Sequence, residues 1–575
     1  VQINTPRSRK IAFASRARGP LRGRMSLLFR PRRVAPIARL AFSSLILAFV
    51  VALAAGCAKR ETPAAAGLRT RTLLVGNQNE PATLDPHLID AFTDMNIAVA
   101  LFEGLTVLDE ATAQPLPAAA ERWEISADGL VYTFHLRRDG RWSNGDALTA
   151  RDFAFSLQRI LSPKLASPYA YVVWPLKNAE AYHAGKLADF ARVGVHVVDD
   201  LTLRLTLERP TPYLPALAAL AAWMPVHRAT IEKFGAPDAR DTAWTRPANL
   251  VGNGPFTLAE WKPNARIAVA KNPRHRDAAR NRLERVEFFP VEKSDTEELS
   301  FRAGQLHVTY ALPAAKIATY RAQSPERLRV EPLLNTYYVN FNVTKPPLDR
   351  ADVRRALALA IDREALVRTV YAGAAQPTRV LTAPDHSGYA PPARPTHDFA
   401  AARALLAAAG FPGGAGLPPL SIQTLNDDKL PRVAEVLQTM WQRELGVRVG
   451  IEPFEQKTWI QNQQSLAHTI ALMGWTADYA DPITFLDIFR TGGGNNWTGW
   501  GDQAYDALLA TAANTADPAA RFQVLQRAET LLLDVAPIAP FALASRAYLI
   551  HPAVKGWGPA PLGFHRYQLV ELANP

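Results

Sequence analysis

The residue types that carry acid–base, nucleophilic and metal chemistry are all present, but not at the spacings such chemistry needs. No Gly-x-Ser-x-Gly elbow, His-Glu-x-x-His pair or phosphate-cradling glycine loop ending in Lys-Ser/Thr occurs. Gly252-Asn253-Gly254 runs into Pro255 and lacks the third glycine and helix start of a phosphate site, so it reads as a turn. The twelve histidines are scattered and no two are three or four residues apart, so no helix offers a pair to a metal. Gly492-Gly493-Gly494 reads as a flexible loop rather than an anion nest, and Asp199-Asp200 and Asp427-Asp428 as solvated turn carboxylates. The weight therefore falls on binding rather than catalysis. Two residues stand out. Asp478 follows the apolar run Ile470-Ala471-Leu472-Met473 and Gly474, which permits close backbone approach, and precedes Asp481-Pro482. A carboxylate there caps a turn or meets a cation. Cys57 is the only cysteine, so no intrachain disulfide or CxxC pair can form.

Cys57 ends a leader. From Met25, the basic stretch Arg30, Arg32, Arg33 and Arg39 precedes the apolar run Leu40–Ala55, then Gly56-Cys57. Ala54, Ala55 and Gly56 before a lone Cys resemble a bacterial lipobox, with Ala54 where Leu is usual and Leu53 one place earlier. Residues 1–56 thus read as an N-terminal extension and lipoprotein signal peptide, with residues 1–24 an upstream start-site extension. Cys57 is the expected lipidation site, its thiol being the strongest side-chain nucleophile near neutral pH. Residues 57–68 would be the lipidated Cys and a polar tether. The leader also explains the charge. The chain has 65 Lys+Arg against 53 Asp+Glu, but residues 1–56 hold eleven basic and no acidic side chains, leaving 54 against 53. A near-neutral body gives no reason to expect a nucleic-acid partner.

Beyond the leader, 48% hydrophobic and 21% charged residues describe a chain with real cores, sized for about three domains at ~150 residues each. Val131–Leu136 and Leu201–Leu207 alternate with the period of strands, and Pro210 stops the second. Asp349 or Asp352 can cap a helix through Val370, with Val353, Leu357, Ile361 and Val367 on one face. Asp398 can cap another through Ala409, ended by Gly410 and Pro412. Interleaved strands and helices make a mixed α/β body.

An ordered set of stretches resembles the extracellular solute-binding proteins of family 5, the oligopeptide-binding proteins of bacterial ABC peptide importers. They are Glu80-Pro81-Ala82-Thr83-Leu84-Asp85-Pro86-His87, Leu101–Leu105, Trp142–Asp146 with Thr149–Phe153, Ser167–Ala170, Gly252–Phe256, Asp352–Leu357 and Gly474-Trp475-Thr476-Ala477-Asp478-Tyr479. The resemblance implies a two-lobed periplasmic-binding-protein-like α/β fold of class II type, with a hinge and an extra domain inserted in the first lobe. Carried over, lobe one is 69–102, 227–329 and 545–575, the inserted domain 103–226 and lobe two 330–544, with hinge crossings near 329 and 545.

It further implies capture of peptides in the periplasm or cell envelope and delivery to the permease subunits of an importer, by a monomer anchored through Cys57, with no enzymatic activity, cofactor or metal. Asp478 matches the family's ammonium-binding aspartate. Trp475 and Thr476 would flank the ligand backbone, Tyr169 would reach it from the inserted domain, and Asp90, Phe92, Asn495 and Asn496 would line the cleft. One departure is visible. Gln463 and Leu472 stand where relatives place Arg to meet the ligand's C-terminal carboxylate, and residues 455–473 hold only Lys457. A longer peptide, a murein peptide or a non-peptide solute such as a nickel chelate are alternative ligands, and a secreted hydrolase is an alternative of another class.

Overall fold

Strand and helix periodicity is realised in three larger sheets, beside two small two-stranded ones among the described residues. The computed structural model describes residues 61–383, 388–427 and 429–573; Cys57 and the leader lie outside them. Helix α1 (Pro63–Thr70) leads into β1 (Thr72–Gly76), and α2 (Phe92–Leu101) follows. Strands β2 (Ala120–Ile125), β3 (Val131–Leu136), β4 (Val195–Asp199) and β5 (Thr202–Thr206) form an antiparallel sheet in the order β2-β3-β5-β4. Helix α3 (Ala150–Ile160) packs on it. Strands β6 (Phe256–Lys262), β7 (Arg266–Lys271) and β8 (Arg285–Phe289) return to β1 in the order β1-β8-β7-β6, with β8 parallel to β1. The rest centres on a six-stranded mixed sheet. It contains β9 (Leu328–Phe341), β10 (Ala375–Pro377), β11 (Leu420–Leu425), β12 (Val449–Phe454), β13 (Ile470–Thr476) and β14 (Ile538–Leu549) in the order β10-β14-β9-β13-β11-β12.

The period-two pattern of β3 puts Tyr132, Phe134 and Leu136 into its core. In the six-stranded sheet Val339, Phe341, Ile422, Ile470 and Leu472 share a core with α4 (Ala351–Leu359), α5 (Arg363–Tyr371) and α6 (Phe399–Ala408). Helix α6 starts where Asp398 accepts from Ala401 N, as its sequence indicates. The single helix expected through Val370 is instead α4 and α5, because the Asp362 carboxylate accepts from Ala365 N and starts a second helix. The tether expected through residue 68 also ends early. Thr62 caps α1, Ala64 and Leu68 are buried, and Ala64 N donates to Gly304 O at 2.9 Å. Among the described residues no helix is long and apolar enough to cross a membrane.

The motifs that carry the family resemblance are mostly joints. In Thr149–Phe153, the Asp152 carboxylate accepts from Thr149 N at 2.8 Å and starts α3. Asn253 accepts from Glu103 N at 3.0 Å and donates to Glu103 O at 2.8 Å, clamping the chain where it leaves α2. Its neighbour Gly252 is obligatory, since a Cβ would stand 2.1 Å from Leu101 O. The stretch read as a turn is thus a close backbone crossing.

Asp85 is the third joint. Arg159 of α3 donates to both its oxygens, at 2.9 and 2.5 Å, and to Pro237 O at 2.6 Å. Arg159 also meets His87 Nδ1 at 2.9 Å, while His87 Nε2 faces Met224 O at 3.1 Å. Burial pushes the His87 imidazole down to about 4, so it is neutral and accepts from the guanidinium. The Arg159 and Asp85 side chains are 0% and 4% exposed. Arg159→Met leaves the carboxylate buried and unpaired, and urea unfolding at pH 7 should show a loss of about 3–5 kcal/mol.

Candidate functional site

Asp478 lies just past the end of β13, where the strand leaves the six-stranded sheet. Three bonds set the turn. Ala477 N donates to Leu334 O at 2.7 Å, Asp478 N to Thr484 Oγ1 at 3.3 Å, and Ile483 N to Asp481 Oδ1 at 2.9 Å. Asp481 is itself held by Arg521 on helix α7 (Pro518–Val535), through two bonds of 2.7 and 2.8 Å, both side chains almost fully buried. The Arg521 guanidinium lies 5.6 Å from the ring of Tyr213, and Tyr213 stacks on Tyr479 at 4.8 Å and 9°. Tyr213 packs against the β2–β5 core, so this stack ties that region to the six-stranded sheet directly beside Asp478.

The Asp478 carboxylate borders two cavities. One, with about 620 Å³ of empty space, is lined by Asp90, Phe92, Met95, Tyr169, Thr476 and Asp478 together with apolar neighbours. No Lys or Arg lines it. The other, about 1170 Å³, is lined by Tyr171, Trp475, Asp478, Tyr479 and Asn495 and also by Arg209 and Arg490. Burial pushes the Asp478 carboxyl up to about 6, against an opposing polar contact from Tyr171. Burial, then the Asp478 charge, pushes the Tyr169 phenol up to about 12. The site is therefore an anionic wall, with the partly buried Asp478 and the exposed Asp90 carboxylates on the same cavity. It can hold a cation, and it has no nucleophile–base pair.

Seven of the eight ligand-contact residues expected from the sequence reach one cavity or the other: Asp90, Phe92, Tyr169, Thr476 and Asp478 the first, and Trp475, Asn495 and again Asp478 the second. Asn496 does not. Its amide donates to Phe489 O, Arg490 O and Trp500 O and its oxygen accepts from Thr498, so it is spent on its own loop. Phe92 is 40% exposed and stacks on Phe564 at 5.3 Å. Thr476 Oγ1 accepts from Asn335 at 2.5 Å, and Trp475 Nε1 is buried without a partner. Beyond Ile422↔Ile470 and Gln423↔Ala471, β13 has no β11 pairing, which leaves that edge of its last residues unpaired with β11.

Neither position singled out for its missing arginine faces these cavities. Leu472 is fully buried in the sheet's core, and Gln463 is fully buried beside Gln423 at 3.5 Å. The residues that sequence reading missed are Tyr171, Thr484, Arg521 and the Tyr213–Tyr479 stack. Arg521 carries no local signal, since its partner Asp481 is 40 residues away.

A sequence model of "Bacterial extracellular solute-binding proteins, family 5 Middle" matches residues 114–497. The chain is 35% identical to the probable deoxycholate-binding periplasmic protein of Escherichia coli, over 84% of this chain and 89% of that one. It is 33% identical to the periplasmic oligopeptide-binding protein of Salmonella typhimurium, over 90% and 96%. The solved structure of the Escherichia coli murein tripeptide binding protein superposes with a TM-score of 0.75 at 30% identity, covering 88% of this chain and 99% of that one.

The raised carboxyl has a stability consequence. Because the folded group titrates near 6 and the unfolded one near 3.8, its charge weighs against the fold above pH 6. Asp478→Asn should therefore stabilise the ligand-free protein at pH 7 by about 1–2 kcal/mol. That gain should shrink as pH falls through 6 and vanish near 3.8, as read by thermal unfolding across pH.

Proposed function

The chain belongs to the bacterial extracellular solute-binding proteins of family 5, and from that premise we propose that it captures oligopeptides by hinge closure, clamping their N-terminal ammonium on Asp478. Its class is the periplasmic solute-binding protein of ABC transport, a binder and not a catalyst, related to oligopeptide, dipeptide and murein-peptide binders. The observation that carries the peptide reading is the cavity bordered by Asp478 and Asp90 with no cationic side chain in its lining. A guest ammonium supplies the missing charge, and a charge-assisted bond there is worth about 1.5–3 kcal/mol net. The open edge of β13 next to it offers main-chain groups to an extended guest, the part every peptide shares.

Closure needs a place to bend. The proposed crossings near 329 and 545 fall on β9 and β14, which pair from Leu328↔Leu549 to Pro332↔Ser545, lose register, and resume at Thr336↔Leu543. Interrupted pairing lets the two halves pivot without breaking a continuous ladder. On this reading lobe one is 69–102, 227–329 and 545–575, the inserted domain 103–226 and lobe two 330–544. The body is held to the membrane as a monomer by lipid on Cys57. Each buried acyl CH₂ contributes about 0.8 kcal/mol, so several chains anchor it stably.

Titration calorimetry with tri- to pentapeptides tests the clamp. N-acetylated peptides should bind at least ~100-fold more weakly than free ones, the cost of an unpaired buried charge. Affinity for free peptides should fall as Asp478 protonates, up to ~10-fold per pH unit below 6. Equal binding of free and acetylated peptides, or a flat profile from pH 7 to 5, would remove Asp478 from the role. Mass spectrometry of the mature N-terminus should find a diacylglyceryl adduct on Cys57; an unmodified thiol in an uncleaved chain overturns the anchor.

A further inference from the structure

Behind the Asp478 cavity lies a second, apolar chamber of about 730 Å³. The two share Met95, Leu220 and Phe564 in their walls, so those three side chains form the partition between them. Phe564 is steadied by its stack on Phe92, and Met95 is an unbranched side chain that changes rotamer at little cost. Beyond the partition, Val99, Leu108, Ala219, Met224 and Leu562 make an apolar lining.

Glu103, Glu110 and His565 on the far wall are already engaged. Glu103 holds Arg276 in a two-pronged ion pair and faces His275 at 3.4 Å. Glu110 accepts from the backbone N–H of Arg566, and burial pushes its carboxyl up to about 7. His565 is met by Arg546 at 2.9 Å, and burial holds its imidazole well below the ordinary value. Asp109, Arg566 and Gln568 also line the chamber, with Arg566 Nε and Gln568 Oε1 buried without a partner; the rest of what a guest meets is hydrocarbon and aromatic surface, where a charged side chain would lose most of its hydration.

We propose that this chamber is a specificity pocket that selects guests carrying a bulky apolar group close to the ammonium, with Met95, Leu220 and Phe564 as its door. The proposal rests on the peptide reading of the Asp478 cavity and narrows its substrate class from peptides in general to those with an aromatic or large aliphatic side chain near the amino end. The driving force is removal of that side chain from water onto a predominantly apolar wall.

The test is calorimetry with trialanine and its three single Phe and three single Lys replacements, on the wild-type protein and on Ala219→Phe and Val99→Phe. Both substitutions add bulk to the chamber lining, and neither residue lines the Asp478 cavity. One Phe peptide should bind wild type at least 10-fold more tightly than trialanine, and no Lys peptide should gain. Each filled variant should lose that preference while binding trialanine within about twofold of wild type. Equal affinity for Phe, Lys and Ala peptides, or a Phe preference that survives both fillings, overturns the chamber. If no peptide binds at all, the peptide reading has failed and the chamber is decided separately with 1-anilinonaphthalene-8-sulfonate. Dye fluorescence that falls in both filled variants upholds the chamber, and fluorescence unchanged by them overturns it.

Discussion

A partly buried carboxylate beside a cavity with no cation in its lining is the constraint on which the rest of this structure depends. Asp478 is costly to the empty protein, because burial raises its carboxyl to about 6 while no Lys or Arg lines the first cavity it borders. A lone charge in such a place is tolerated only where surrounding structure over-determines its position. The same cost becomes binding energy when a cation arrives, since what was unpaired is then paired in a poorly screened setting. A site of this kind selects for the positive end of a guest before anything else about it.

The scaffold around Asp478 answers that demand with contacts that are themselves well satisfied. The Asp481–Arg521 pair closes the turn after β13, and the Tyr213–Tyr479 stack ties it to the β2–β5 region. The Ala477–Leu334 bond fixes the strand end on β9, one of the two long strands whose register breaks near Pro332. A well-held turn thus sits close to the register break between β9 and β14. Elsewhere rigidity comes from buried joints. Arg159–Asp85–His87 and Asn253–Glu103 fasten the segment carrying β2–β5 to the β1–β8–β7–β6 sheet, far along the chain from each other. They explain why the recognisable motifs concentrate at those points. A buried ion pair or a backbone clamp tolerates few substitutions, since loss of either partner strands the other.

The cavities around the carboxylate differ in character, and the difference is chemical rather than a matter of size. One is anionic, one mixed and one apolar; the anionic and apolar ones share Met95, Leu220 and Phe564, and the anionic and mixed ones share Asp478. On the proposed peptide reading, such a layout would read a guest by parts: a charge, a main chain along the open edge of β13, and a hydrophobic group. The amide of Asn496, by contrast, lies close in sequence to Asn495 yet contributes only to its loop, because three carbonyls converge on it.

Much was legible in the chain itself. Alternation placed β3 and β5, Asp398 placed α6, and the strand leading to Asp478 followed from four apolar residues and a glycine. These are local patterns, and local sequence holds the information that decides them. The break between α4 and α5 was written in Asp362 but outweighed by an apolar stripe that runs through both helices. What the sequence could not determine is which distant groups meet. Arg521 on Asp481, Tyr213 on Tyr479, Leu472 turned into the core and the absence of any cation from the first cavity's lining are outcomes of packing between segments tens to hundreds of residues apart. Tertiary structure decides them because burial and electrostatic pairing act on proximity in space, which no local pattern in a single chain encodes.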